Sequence, residues 1–269
     1  MTWKKLFYSL VIIPVLIIFT VNARGEDGQI AKKLIKGERH KVIRIIDGDT
    51  VILDNHASVR LVGIQAPKIA LGRPGFKDWP LGKEAKAALS RMVLGQHVTL
   101  YYGGARQDRY ERILAHLFLD DDRWVQGMLL KAGFARVYSF PDNRSIITDM
   151  LQREKQAEKD RRGIWGHAFF QSRPQENTLE YLDSFQLVHG KILNIASVRG
   201  TIFLNFGHNW KKDFTIVIKP AQYRKFEKAG IHLLSLEDTT VRVRGWLRYY
   251  NGPMIEITHP EQLELSYQP

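Results

Sequence analysis

Cysteine is absent from all 269 residues. That removes disulfides, thiol nucleophiles and every cysteine-ligated zinc site. Histidine is sparse, with nine residues and none at the close spacing of a metal-binding pair. Acidic residues are in deficit: 28 Asp and Glu face 40 Lys and Arg, a formal charge of +12. A surface of that sign favours an anionic partner, nucleic acid or an acidic membrane face, and says nothing about fold. With 44% hydrophobic and 25% charged residues the composition is that of a globular chain, which excludes disorder and fibrous repeats. The length suits two domains.

One long apolar run is present. Lys4 and Lys5 precede residues 6–21, which are interrupted only by Ser9, Pro14 and Thr20, and Val21-Asn22-Ala23 offers small residues before Arg24-Gly25-Glu26-Asp27 turns polar. Such a run makes about 24 Å of helix, short of a bilayer core of about 30 Å. Residues 1–23 are therefore expected to be a signal peptide, with a membrane anchor as the alternative. The leader removes two lysines and no acids, so the basic excess belongs to the folded chain. Secretion or a periplasmic location is the expectation, with envelope association through residues 6–21 if the leader stays.

Beyond the leader, short strand-like runs dominate. Residues 42–46 and 51–53 flank the turn Asp47-Gly48-Asp49, and residues 59–64 follow a second turn, Asp54-Asn55-His56. Helical spacing marks residues 81–94, 124–132 and 145–162, closed by Gly95, Gly133 and Gly163. Strands are expected at 97–101 and 113–119. Residues 169–183 lose the pattern and predict a linker. Residues 184–267 alternate again, with strands at 186–195, 200–206, 214–218, 241–246 and 254–258 and a helix at 220–229. Five strands and one helix suit a partly open Greek-key barrel of the OB type. The expected class is mainly β with helices (α+β): one OB barrel with three helices over residues 38–168, then a second, smaller OB-like barrel.

Residues 41–166 resemble the staphylococcal (micrococcal, thermostable) nuclease family. Five segments appear in the family's order: Ile46-Asp47-Gly48-Asp49-Thr50-Val51; Val59-Arg60-Leu61-Val62-Gly63-Ile64; Asp108-Arg109-Tyr110-Glu111-Arg112; Lys131-Ala132-Gly133-Phe134-Ala135-Arg136-Val137; and Arg162-Gly163-Ile164-Trp165-Gly166. Asp-Gly-Asp-Thr by itself occurs in many hairpins; the ordered set is specific. The resemblance implies an OB-type barrel and phosphodiester hydrolysis. It also implies a calcium ion held by carboxylates, two arginines on the phosphate and a glutamate acting on water. Calcium accepts six to eight oxygen ligands in loose geometry.

Carried across, the two arginines are Arg60 and Arg112, whose guanidinium forks match phosphate oxygens. Their alternative is a surface ion pair with Asp108 or Glu111. Asp49 matches a metal-ligating aspartate, while Asp47 beside it reads as turn chemistry. Tyr110 either lies along a nucleotide or packs. Where the family has Asp-Thr-Pro-Glu, this chain reads Gln65-Ala66-Pro67-Lys68. The second metal-ligating aspartate is thus Gln65, and the glutamate is Lys68. A unit charge about 5 Å from a divalent ion is worth roughly 6–7 kcal/mol at an effective dielectric near 20. Calcium binding is therefore disfavoured. Either Lys68 joins Arg60 and Arg112 in holding phosphate without efficient cleavage, or hydrolysis uses another base, Asp49, Glu84 or Asp78.

In the second domain, Phe206-Gly207-His208-Asn209-Trp210-Lys211-Lys212 and Arg242, Arg244, Trp246, Arg248, Tyr249 and Tyr250 supply the mixture of cation and aromatic that binds single strands, and alternation sets Arg242, Arg244, Trp246 and Arg248 on one strand face. The alternative is a solvated or packing face. DNA or RNA is the expected partner, by cleavage or by binding alone, with an envelope scaffold as a third role.

Overall fold

The computed structural model describes residues 25–265 together with Tyr267. The expected leader lies outside the described residues. Among those described, no helix is long and apolar enough to cross a membrane.

The first half is a closed barrel. Strand β1 (Ile35–Asp47) is long enough to pair with two neighbours, β2 (Thr50–Leu53) at one end and β5 (His97–Tyr102) at the other, both antiparallel. β2 pairs with β3 (Ser58–Leu61), β3 runs parallel to β6 (Ile113–Leu119), and β6 pairs with β5, closing the ring in the order β1-β2-β3-β6-β5. Val42, Val51, Leu53, Val59, Leu61, Val98, Leu100, Ala115 and Leu117 fill it. Between β3 and β5 lie the short strand β4 (Ile64–Gln65) and helix α1 (Gly82–Val93). After β6 come α2 (Val125–Lys131), β7 (Arg136–Val137) and α3 (Ile147–Lys159). The sequence suggests one strand through residues 59–64; Gly63, at φ +81°, breaks it, and Met150 packs where its side chain would be. A helical segment through residues 25–31, not anticipated, packs on this barrel with Ile30 buried.

The second half repeats that connectivity. The expected strand over 186–195 is two strands, β9 (Ser184–Lys191) and β10 (Asn194–Val198), followed by β11 (Thr201–Asn205), β12 (Thr215–Ile218), α4 (Pro220–Lys228), β13 (Thr240–Tyr249), β14 (Pro253–Glu256) and the small β15 (Leu263–Leu265). The sheet runs β10-β11-β12-β14-β13-β9, with β12 and β14 parallel as β3 and β6 are. β9 and β10, far apart in this order, are consecutive in sequence, so the sheet wraps back on itself through the bend between them. This is the OB order. The stretch expected as a linker is three single helical turns plus β8 (Arg173–Pro174), which pairs with β9.

The halves are fused. Ala157, Ile164, Trp165 and Phe170 form one cluster with Phe185 and Leu187 of β9.

Candidate functional site

The site grows from the β1–β2 hairpin. A side chain on Gly48 would meet Ala66 Cβ at 2.6 Å and Ala85 Cβ at 2.9 Å, so only glycine lets this tip press against the loop after β4 and against α1. That approach buries Asp49 completely. Its Oδ2 accepts the Ala66 amide at 2.8 Å, and Lys68 Nζ donates to Oδ2 at 2.9 Å and to Oδ1 at 3.0 Å. Arg60 Nη1 lies 3.3 Å from Oδ1. Burial pushes the Asp49 carboxyl up, but the charges of Arg60 and Lys68, with the bonds from Lys68 and Ala66, overturn this and hold it below the usual carboxylate range. Asp47 behaves oppositely: burial and the neighbouring Asp49 charge raise its carboxyl, against Lys68 3.8 Å away.

Arg60, on β3, spends its fork on the chain. It donates to the carbonyls of Leu61 at 2.8 Å, Ile64 at 2.6 Å and Asp49 at 3.3 Å. Arg112 immediately precedes β6, whose register with β3 sets Ile113 beside Val59 and Leu114 beside Arg60. It pairs with Asp108 at 2.7–2.8 Å, the surface-pair alternative anticipated above, and remains one third exposed. Tyr110 is exposed at the tip of that loop, with the Arg109 and Arg112 guanidiniums over its ring. Asp78 caps the Ala70 amide, and Glu84 is exposed in the first turn of α1.

The donor set does not fit calcium. Both Asp49 oxygens are held by an ammonium, and Gln65 Oε1 accepts two bonds from Arg136, at 2.7 and 3.0 Å. Among the described residues no three His, Asp or Glu converge as a metal cage. Arg136, quoted above only as part of a motif, continues to the Phe185 carbonyl at 2.8 Å and so ties residue 65 to the second barrel.

The cationic face expected on β13 is corrected. Arg242 and Arg244 do share a face, but α3 covers it, leaving them 4% and 1% exposed. Arg244 pairs with Glu154 and Glu264 at 2.7 Å each. Arg242 pairs with Glu158 and with Glu264 at 2.8 Å. Trp246 Nε1 donates to the Tyr138 hydroxyl at 2.6 Å, so it too leans on the first barrel. Arg248, beyond the contact, is exposed. Arg242 and Arg244 hold the two barrels together and have no face free for a nucleic acid.

Comparison with known proteins agrees with this architecture. The staphylococcal nuclease homologue family matches residues 58–167. The thermonuclease of Staphylococcus hyicus is 30% identical over 171 residues, covering 61% of this chain and 99% of that protein. That of Staphylococcus intermedius is 33% identical over 168 residues, 60% of this chain and 98% of its own. An uncharacterized endonuclease of Escherichia coli is 33% identical over 131 residues, 48% of this chain and 77% of its own.

Proposed function

Because this chain belongs to the staphylococcal nuclease homologue family, we propose that its first barrel holds nucleic-acid phosphodiesters with a built-in ammonium in place of calcium, and does not run calcium-dependent hydrolysis. One observation carries the reading: the Lys68 ammonium bonds both oxygens of the buried Asp49, the oxygens a divalent ion would need. An ammonium has three N–H donors. Asp49 takes two, which leaves one for a phosphate oxygen beside Arg112, itself one third exposed. Arg60 keeps the pocket in shape through the Leu61 and Ile64 carbonyls and sets its charge. With Lys68 where the family pattern has glutamate, the usual base for the attacking water is gone.

The test is binding and cleavage of labelled duplex DNA and RNA by the whole chain, in calcium and in chelator. Equal affinity in both, no cleavage, and weakening by Arg112→Ala or Lys68→Ala are expected. Affinity should fall steeply with salt as phosphate contacts release counterions. Absence of binding at low salt would sink the proposal. Cleavage that persists in chelator and vanishes in Asp47→Asn would assign hydrolysis, with the burial-raised Asp47 carboxyl as the base.

We further propose that residues 1–23 export the chain, as a cleaved signal or as an envelope anchor. Lys4, Lys5 and the apolar run after them support this. N-terminal sequencing of protein from the exporting cell distinguishes the two fates.

A further inference from the structure

The second barrel carries a hollow of about 430 Å³ on the side of its sheet away from the core. Two cross-strand rows make its floor. Asn194, Asn205, Thr215 and Met254 sit side by side on β10, β11, β12 and β14, and Ala196, Phe203 and Val217 form the next row. Their sequence neighbours Leu204, Ile216 and Ile255 point the other way, into the core. A sheet face turned to water should alternate to polar residues; here it shows Phe203, Val217 and Met254. Polar atoms lie among these apolar walls, and the Thr215 hydroxyl donates to Asn205 Oδ1 at 3.1 Å.

Two aromatics stand at the rim, Trp210 at 54% and Tyr250 at 74% exposure. Their loops meet: a side chain on Gly252 (φ +96°) would strike the Asp213 carbonyl at 2.7 Å. The Trp210 loop is pre-set by Asp213, whose carboxylate accepts the Asn209 amide at 2.8 Å, and by Asn209, whose side chain accepts the Lys211 amide. Cations flank the hollow. Lys211 Nζ lies 5.4 Å from the Trp210 ring, Lys212 follows, and Arg199 occupies the β10–β11 turn beside the hollow-lining Val198. All three are exposed and, among the described residues, none is in an ion pair.

We propose that this hollow is a second nucleic-acid site, separate from the first barrel, which takes unstacked bases of a single strand. Flat apolar walls and exposed rings stack bases, while the Asn and Thr groups meet their polar edges. Arg199, Lys211 and Lys212 track the phosphates, a combination that stacking platforms on OB barrels use. The volume lies within the range of small-ligand sites.

The experiment uses the full chain in chelator, with fluorescein-labelled oligothymidine of roughly ten nucleotides and a duplex of the same length. Trp210→Ala and Tyr250→Ala should each weaken single-strand binding about ten-fold, with duplex binding unchanged and Trp210→Phe restoring most of the loss. Both side chains are exposed, so folding is not at stake. An oligonucleotide carrying 5-bromouracil should photo-cross-link to the loops bearing Trp210 and Tyr250. Wild-type-like single-strand affinity in both alanine variants, or cross-links confined to the first barrel, would overturn the proposal. Arg112→Ala forms the separate arm: it reports on the first barrel and leaves the Trp210 and Tyr250 effects readable whichever way it falls.

Discussion

The Lys68 ammonium and the Asp49 carboxylate form a two-oxygen ion pair, at 2.9 and 3.0 Å, with the carboxylate fully buried and the lysine side chain 24% exposed. Few single contacts say more about this molecule. It cross-links the hairpin tip to the loop after β4.

Lys68→Met should leave Asp49 with Arg60 as its remaining charged partner. Breaking a buried pair from one side is costly because the other charge stays desolvated. With Arg60 in place, a loss of about 2 kcal/mol is expected. Urea unfolding checks it, and adding Asp49→Asn to Lys68→Met should recover a large part.

Calcium should leave the melting temperature of the unaltered chain where it is. Gln65→Asp with Lys68→Glu should lower stability in chelator, by crowding carboxylates around Asp47 and Asp49, and calcium should restore it. A ligand at a hundred times its Kd adds about 2.7 kcal/mol to folding. Calorimetry showing no calcium-dependent gain in the double variant would count against the assigned register.

Arg244→Met should destabilise by about 3–5 kcal/mol, since the buried Glu154 would be left without its ion-pair partner, while Glu264 keeps Arg242. Replacing Glu154 by Gln in the same chain removes that stranded charge while keeping the bond to the Val137 amide, and should recover part of the loss. Chemical denaturation measures both. Once folded, these variants should bind nucleic acid like the parent.

Acid should unfold the chain through two buried histidines. Burial pushes His116 down to about 3 and His259 down to about 4. As pH falls below the ordinary histidine value of about 6.5, the unfolded chain takes up protons that the folded chain refuses. Stability therefore drops between about 6.5 and 4, by up to about 1.4 kcal/mol per pH unit for each histidine. Asp49, whose pKa is depressed, adds its loss only below about 4. Denaturant midpoints at successive pH values should show the slope, and His116→Gln should flatten it.

Most of the strands and helices could be read from local pattern, because alternation and helical spacing record which side of an element meets the core. The break at Gly63 and the division into β9 and β10 escaped that reading, since a bend does not interrupt hydrophobic alternation. Gln65 and Lys68 stand in the sequence on either side of Ala66 and Pro67.

What Lys68 does with its charge was not visible, because Asp49 lies on another strand and only the Gly48 approach brings the two together. The second barrel makes the contrast sharper. By themselves the residues determined that Arg242, Arg244 and Trp246 share a face and that the chain carries excess cations. Only the tertiary structure decided that α3 covers that face with Glu154 and Glu158, and that the open aromatic hollow lies elsewhere on the same barrel. Alternation fixes the side to which a side chain points, whereas what packs against that side depends on elements distant in sequence, and burial there converts surface cations into structural ion pairs.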